Sequence, residues 1–131
     1  MEAPYERLVE LSKRLRAATD EGQLEWTAED DTSFVWTGSN GAVSVRSRDG
    51  DGEEPFELDV FSPARQKVET LGSEWTEDER PAPWNEALTR LYRAARRKAL
   101  GVDRILEDLL GELPRVRDDA VSAPTSPRSE F

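Results

Sequence analysis

Two consecutive amphipathic patterns between Trp84 and Leu113 constrain the fold of this chain more than any other feature. In the first, apolar residues recur at the spacing of one helix face, and they are Trp84, Leu88, Leu91, Tyr92, Ala95 and Ala99. The second pattern follows Gly101 and contains Val102, Ile105, Leu106, Leu109, Leu110 and Leu113. We expect two helices joined at Gly101, and each needs apolar surface elsewhere in the chain to cover its apolar face.

Residues at the junction support these two helices. Gly101 tolerates the left-handed conformation of a helix C-cap. The cationic residues before it suit the negative end of the helix dipole. Asp103 is expected to be the N-cap of the second helix, and Pro114 is expected to end it.

The preceding residues predict one helix and then a run of strands. The helix is expected from Pro4 to about Thr19. The apolar period then shortens to two. It predicts strands at residues 23–27, 33–37, 42–48, 56–60 and, as a shorter or edge strand, 66–71. Asn40 and Gly41 predict a hairpin with a type I′ turn, and residues 29–31 are interpreted as a charged turn.

Strands bracketed by helices indicate an α+β fold. We predict an N-terminal helix, an antiparallel four- or five-stranded meander, and two C-terminal helices packed on one face of the sheet. Residues 1–114 are expected to form this single domain. Residues 115–131 are mainly Pro, Ser, Thr, Arg and Asp, a composition that favours a disordered C-terminal tail.

The residue types that the chain lacks narrow its chemistry. It has no cysteine, which excludes disulfides and thiolate catalysis and fits a reducing cytoplasm. It has no histidine, the commonest general base and metal ligand. No apolar run reaches the ~18 residues of a membrane span, and no signal peptide is evident. We expect a cytoplasmic protein that is not an enzyme and binds no metal or cofactor.

The net charge of -10 is distributed unevenly. Residues 20–79 contain seventeen acidic and four basic residues, a net of -13. This region repels nucleic acid and anionic membranes. It either favours a basic partner or keeps the protein in solution.

Four residues are the candidates for partner binding. Arg90, Arg93 and Arg97 lie opposite the apolar face of the helix at residues 84–100 and could grip phosphates. Alternatively, they form the solvated side of a packed helix. Trp75 is the only apolar anchor of a polar loop, and it is a hot-spot candidate if it is exposed. The other tryptophans either belong to the core or line a ligand pocket.

Two acidic clusters have simpler interpretations than catalysis. Residues 49–54 contain four acids and two glycines but lack the spacing of a calcium loop, so we interpret them as a hairpin loop. The carboxylates at residues 25–31 could act as an acid/base pair. Clustered turn carboxylates are more often solvated.

Two motifs carry a resemblance to known sequences. The first helix ends in TxxGxLxW at residues 19–26, and residues 91–110 read LYxxARRxALGVD followed by LxxLL. Together they resemble a group of small, uncharacterised bacterial proteins, some of them actinobacterial. The resemblance implies a bacterial cytoplasmic protein with helices around a small sheet, and it implies no activity.

These observations favour a non-enzymatic protein-interaction module, such as an adaptor, chaperone or immunity-like protein. One alternative is a nucleic-acid-associated regulator that uses the arginine-rich face of helix 84–100. Another is a small-ligand-binding protein. We expect a protein partner and no membrane, nucleic acid is disfavoured, and a homodimer is left open.

Overall fold

The computed structural model describes residues 5–76 and 78–116. Its elements are α1 (Glu6–Asp20), β1 (Thr27–Asp30), β2 (Ser33–Gly38), β3 (Gly41–Ser47), β4 (Phe56–Phe61), β5 (Lys67–Gly72), α2 (Asn85–Leu100) and α3 (Val102–Glu112). The strands form one antiparallel sheet in chain order. The predicted α+β fold, with an N-terminal helix, a meander and two C-terminal helices, is confirmed. The tail prediction falls mostly outside the described residues.

One face of the sheet supplies the floor of the core, because alternate residues of a strand point to the same side. The buried residues of this face are Phe34, Val43, Val45, Phe56, Leu58 and Leu71. Helix α2 contacts β1 to β4, and α1 contacts both α2 and β5. The two helices therefore cover this face together.

The apolar face of α2 is buried as the sequence predicts. Its buried apolar residues are Leu88, Leu91, Tyr92 and Ala95. The ring of Tyr92 stacks on Phe56 at a centroid distance of 4.3 Å and meets Phe34 edge-on at 5.5 Å. Its hydroxyl donates a hydrogen bond to the carbonyl oxygen of Thr32 at 3.3 Å. Tyr92 thus connects α2 to three parts of the meander.

Helix α1 is connected to the start of the sheet by a buried hydrogen-bond chain. The indole N–H of Trp26 donates to the hydroxyl of Thr19 at 2.9 Å. That hydroxyl donates in turn to the carbonyl oxygen of Leu15 at 2.6 Å. Since all three residues are buried, these two hydrogen bonds fix how the segment after α1 enters the sheet.

The first strand begins later than the alternation of Leu24 and Trp26 predicts. β1 starts at Thr27, which is paired with Val35. Residues 29–30 belong to this strand rather than to a turn. Trp26 is buried through its contact with α1. Its spacing from Leu24 therefore reflects core packing and not strand pairing.

The hairpin between β2 and β3 is confirmed, but the predicted turn type is wrong. Gly38 pairs with Gly41, so Ser39 and Asn40 are the central turn residues. Neither has the positive φ that a type I′ turn requires at both positions. A Cβ at Gly41 would lie 2.6 Å from the carbonyl oxygen of Phe61. The glycine is therefore required by the close approach of β4.

Helix α3 departs from two expectations. Gly101 has the predicted left-handed conformation, with φ of +64°. However, Asp103 is not the N-cap, because α3 starts at Val102 directly after Gly101. Asp103 lies in the first turn and accepts a hydrogen bond from Arg97. The expectation that other residues cover α3 is also wrong for the described part of the chain, where no residue of α3 is buried.

We predict that Thr19→Val destabilises the domain by about 1 to 3 kcal/mol, because the buried indole N–H of Trp26 would lose its acceptor. Urea denaturation of both proteins measures this difference. Thr37→Val, at an exposed position of β2, is the matched control and should change the free energy of unfolding by less than about 0.5 kcal/mol. Equal effects of the two changes would contradict the prediction.

Candidate functional site

The three predicted arginines lie exposed on α2, but two of them have intramolecular partners. Arg90 donates a hydrogen bond to Glu86 at 2.6 Å. Arg97 donates to Asp103. Among the described residues, Arg93 has no ion pair. The pairing reduces the free positive charge that this face offers to a phosphate backbone.

Trp75 is exposed, as a hot-spot residue would be, and 69% of its surface is accessible. Its backbone is nevertheless held in place by a bridge to Pro81. The side-chain amide of Asn85 also fixes the neighbouring Glu74, with its nitrogen donating to the Glu74 carbonyl at 2.8 Å and its oxygen accepting from the Glu74 N–H at 3.0 Å. The start of α2 therefore presents this indole on a fixed loop.

Trp75 and the arginines do not form a common recess. Trp75 lines a shallow depression with Arg48, Pro55 and Asn85. Arg90 lines a different depression beside α1. We therefore treat the loop and the arginine face as separate surfaces.

We predict that Trp75→Ala changes the free energy of unfolding by less than about 0.5 kcal/mol, since the indole is exposed. Trp84→Ala is the contrasting variant. The indole of Trp84 packs against the core and donates a hydrogen bond to the Gly72 carbonyl at 2.9 Å, so its loss should cost at least about 2 kcal/mol. Thermal and chemical denaturation measure both. A large loss of stability for Trp75→Ala would assign that indole to the fold instead of to recognition.

The sheet face opposite α1 and α2, which no described helix covers, carries a charge network that the sequence pattern did not predict. Arg46 on β3 pairs with Glu57 on β4 at 2.7 Å and approaches Asp59 at 3.4 Å. Lys67 lies 3.6 Å from Asp59, and the hydroxyl of Thr70 donates to Asp59 at 2.6 Å. Asp59 is only 3% exposed. These cross-strand contacts depend on the strand register, which the alternation pattern alone does not specify.

The environment of this network shifts the pKa values of its two carboxyl groups in opposite directions. Burial alone would raise the pKa of Glu57, but the Asp59 carboxyl, the hydrogen bond from Arg46 and nearby positive charges lower that pKa to about 2. Burial, followed by the effect of Glu57, raises the pKa of Asp59 above its usual value. Such a split pair is found in acid/base sites. Here, however, the carboxylates are engaged by Arg46, Lys67 and Thr70, which favours a structural role.

The grooves and acidic clusters of the described residues do not assemble a clear chemical centre. A groove of about 310 Å³ on the uncovered sheet face is lined by Val35, Ser44, Phe61 and Arg65, among others, and not by Asp59. Another, of about 620 Å³, lies between Tyr5 and Trp84, where α1 meets the start of α2. Within residues 5–76 and 78–116, no group of three or more acidic residues could hold a metal ion.

We predict that Glu57→Gln makes the free energy of unfolding depend less steeply on pH at acidic pH. Since the folded protein lowers the pKa of Glu57 from 4.5 to about 2, its ionised form stabilises the fold above pH 4.5, and this contribution is lost as the pH falls toward 2. The wild-type chain should lose about 1 kcal/mol more free energy of unfolding than the variant over that window. This is less than the Glu57 shift alone implies, because the raised pKa of Asp59 acts in the opposite direction and solvent partly screens Arg46 and Lys67. Urea denaturation at successive pH values measures this. Glu69→Gln, an exposed β5 control, should retain the wild-type slope.

The most extensive exposed apolar surface that we identify lies on α3. We define the α3 apolar face as Ile105, Leu106, Leu109, Leu110 and Leu113. These five side chains are between 46% and 69% exposed. The spacing of the first four places them on one side of α3, and Leu113 follows directly after the end of the helix. They are the residues that the sequence pattern assigns to a buried face, and the structure leaves that face open.

The junction of α2 and α3 fixes the direction of this face. Gly101 adopts a left-handed φ of +64°, and its N–H donates to the carbonyl oxygen of Lys98 at 3.2 Å. Across the junction, Arg97 donates to the Asp103 carboxylate. Helix α3 is thus connected to the end of a helix that is packed on the sheet.

No protein-family model, curated protein or solved structure matches this chain. The resemblance to small bacterial proteins therefore stays a prediction. In the described part of the chain, no helix has the length and apolar character needed to cross a membrane. The described residues thus form an α+β domain in which the apolar face of one amphipathic helix, α3, is exposed.

Proposed function

We propose that this protein is a non-enzymatic interaction module of the bacterial cytoplasm, of the adaptor, chaperone or immunity-like kind. It binds another protein through the α3 apolar face. The observation that carries the proposal is the exposure of Ile105, Leu106, Leu109 and Leu110 on a single helix, together with Leu113 directly after it.

The size and continuity of this face support a binding role. Isolated apolar side chains are common on protein surfaces, but contiguous apolar patches of several hundred Å² usually mark interaction sites. Fully burying one leucine contributes about 1.5 to 3 kcal/mol. Five half-exposed side chains can therefore supply a large part of a binding free energy, from which the loss of translational and side-chain freedom is subtracted.

The two alternative functions have weaker support. A nucleic-acid role would use the arginines of α2, yet Arg90 and Arg97 are paired with Glu86 and Asp103. A small-ligand role would need a pocket with convergent polar groups. The grooves described above are open, and Glu10 beside Trp84 is already paired with Arg14 at 2.5 Å.

We predict that the double variant Leu106→Gln with Leu109→Gln loses at least about tenfold in partner recovery when tagged protein is expressed in the host cells. Glutamine keeps helix propensity but removes apolar contact area. Its free energy of unfolding should stay within about 1 kcal/mol of the wild type, because both leucines are half exposed. Quantitative mass spectrometry and denaturation measure the two effects.

The matched control is Arg104→Gln, which changes the opposite side of the same helix and should keep wild-type recovery. A specific partner recovered equally by all three proteins would exclude the α3 apolar face as its binding site. Unfolding of the double variant would show that the leucines support the domain instead.

A further inference from the structure

We infer that the partner presents an apolar groove bordered by lysine and arginine side chains, into which α3 docks as a helix. This inference rests on the proposed function, since it specifies what covers the α3 apolar face. It is carried by the charges that border that face.

Acidic residues flank the α3 apolar face on both sides. At about 3.6 residues per turn, Asp103 and then Glu107 follow Leu110 around the helix on one side, and Glu112 and Asp108 follow Ile105 on the other. The single base of α3, Arg104, falls at the back of the helix. A partner that covers the leucines must therefore place its own rim against carboxylates on both sides.

Three of these four carboxylates are unpaired in the part of the chain that the structure describes. Glu107, Asp108 and Glu112 are exposed, and among the described residues they form no ion pair. Asp103, by contrast, is held by Arg97. Complementary charge at a rim steers association and rejects wrong partners, so three uncompensated acids favour a basic rim.

A second copy of this chain fits the same face poorly. Two α3 helices packed face to face would bring acidic borders against acidic borders. An 11-residue helix is only about 16 Å long. Two patches of several hundred Å² each fall at or below the roughly 1,200 Å² of total buried surface that a stable interface needs.

Two other occupants are disfavoured by composition. Helices that lie on bilayers carry lysine and arginine on their polar borders, whereas these borders are acidic and repel anionic lipid. The chain's own residues 117–131 contain only Ala120, Val121, Ala123 and Phe131 as apolar residues. They cannot supply a complementary apolar stripe.

The test uses the full chain and two synthetic helical peptides with the same leucine face, one with lysine borders and one with glutamate borders. Fluorescence anisotropy should show the lysine peptide binding at least about tenfold more tightly than the glutamate peptide, with an affinity that falls as salt rises. The variant Glu107→Lys with Asp108→Lys and Glu112→Lys should reverse that preference. The Leu106→Gln, Leu109→Gln variant keeps all the acids and should bind neither peptide, which separates docking from simple charge attraction.

Equal affinity for both peptides, or no binding of the lysine peptide, would overturn the basic groove. The proposed function would then stand or fall separately on the leucine-dependent recovery in host cells. Two further measurements test the other occupants. Sedimentation equilibrium that finds a dimer dissolved by the leucine variant, or co-sedimentation with phosphatidylserine vesicles, would also overturn the inference.

Discussion

The packing of α2 on the meander is the contact on which the rest of the structure depends. Leu88, Leu91, Tyr92 and Ala95 are at most 2% exposed, and Tyr92 lies between rings of β2 and β4. Densely packed interiors of this kind are hardly compressible, so they hold the elements packed against them in fixed positions. The first turn of α2 therefore fixes the Trp75 loop through Asn85, and its last turn fixes α3 through Gly101. Both exposed apolar surfaces discussed above depend on the two ends of one buried helix.

The uncovered face of the sheet is stabilised differently. A second apolar layer is absent from it in the described residues, and Asp59 is buried there among Arg46, Lys67 and Thr70. Burying charge is costly unless the partners are well placed. A slip of one residue between β3 and β4 would separate Arg46 from Glu57, which are directly paired. We interpret the network as a device that specifies strand register more than one that adds stability.

The sequence allowed most of the fold to be predicted, because apolar periods of nearly four and of two distinguish helices from strands. It predicted four strands with a fifth as a shorter or edge strand, the buried face of α2 and the left-handed Gly101. It misplaced β1, since Trp26 is spaced like a strand residue but packs under α1. Periodicity also assigned the α3 leucines to the core. A pattern shows which side of a helix is apolar, but it does not show whether the covering surface belongs to the same chain. The Asp59 network was missed because it requires the register of three strands.

The position of α2 near the end of the domain has a consequence for synthesis. The ribosome releases the meander at residues 27–72 well before residues 85–100. Until then, Phe34, Phe56 and Leu58, which are at most 3% exposed in the finished fold, have no helical cover from α2. Nascent chains with open apolar sheet faces are prone to aggregate. The vulnerable period of this protein is therefore the interval between the release of the meander and the release of α2.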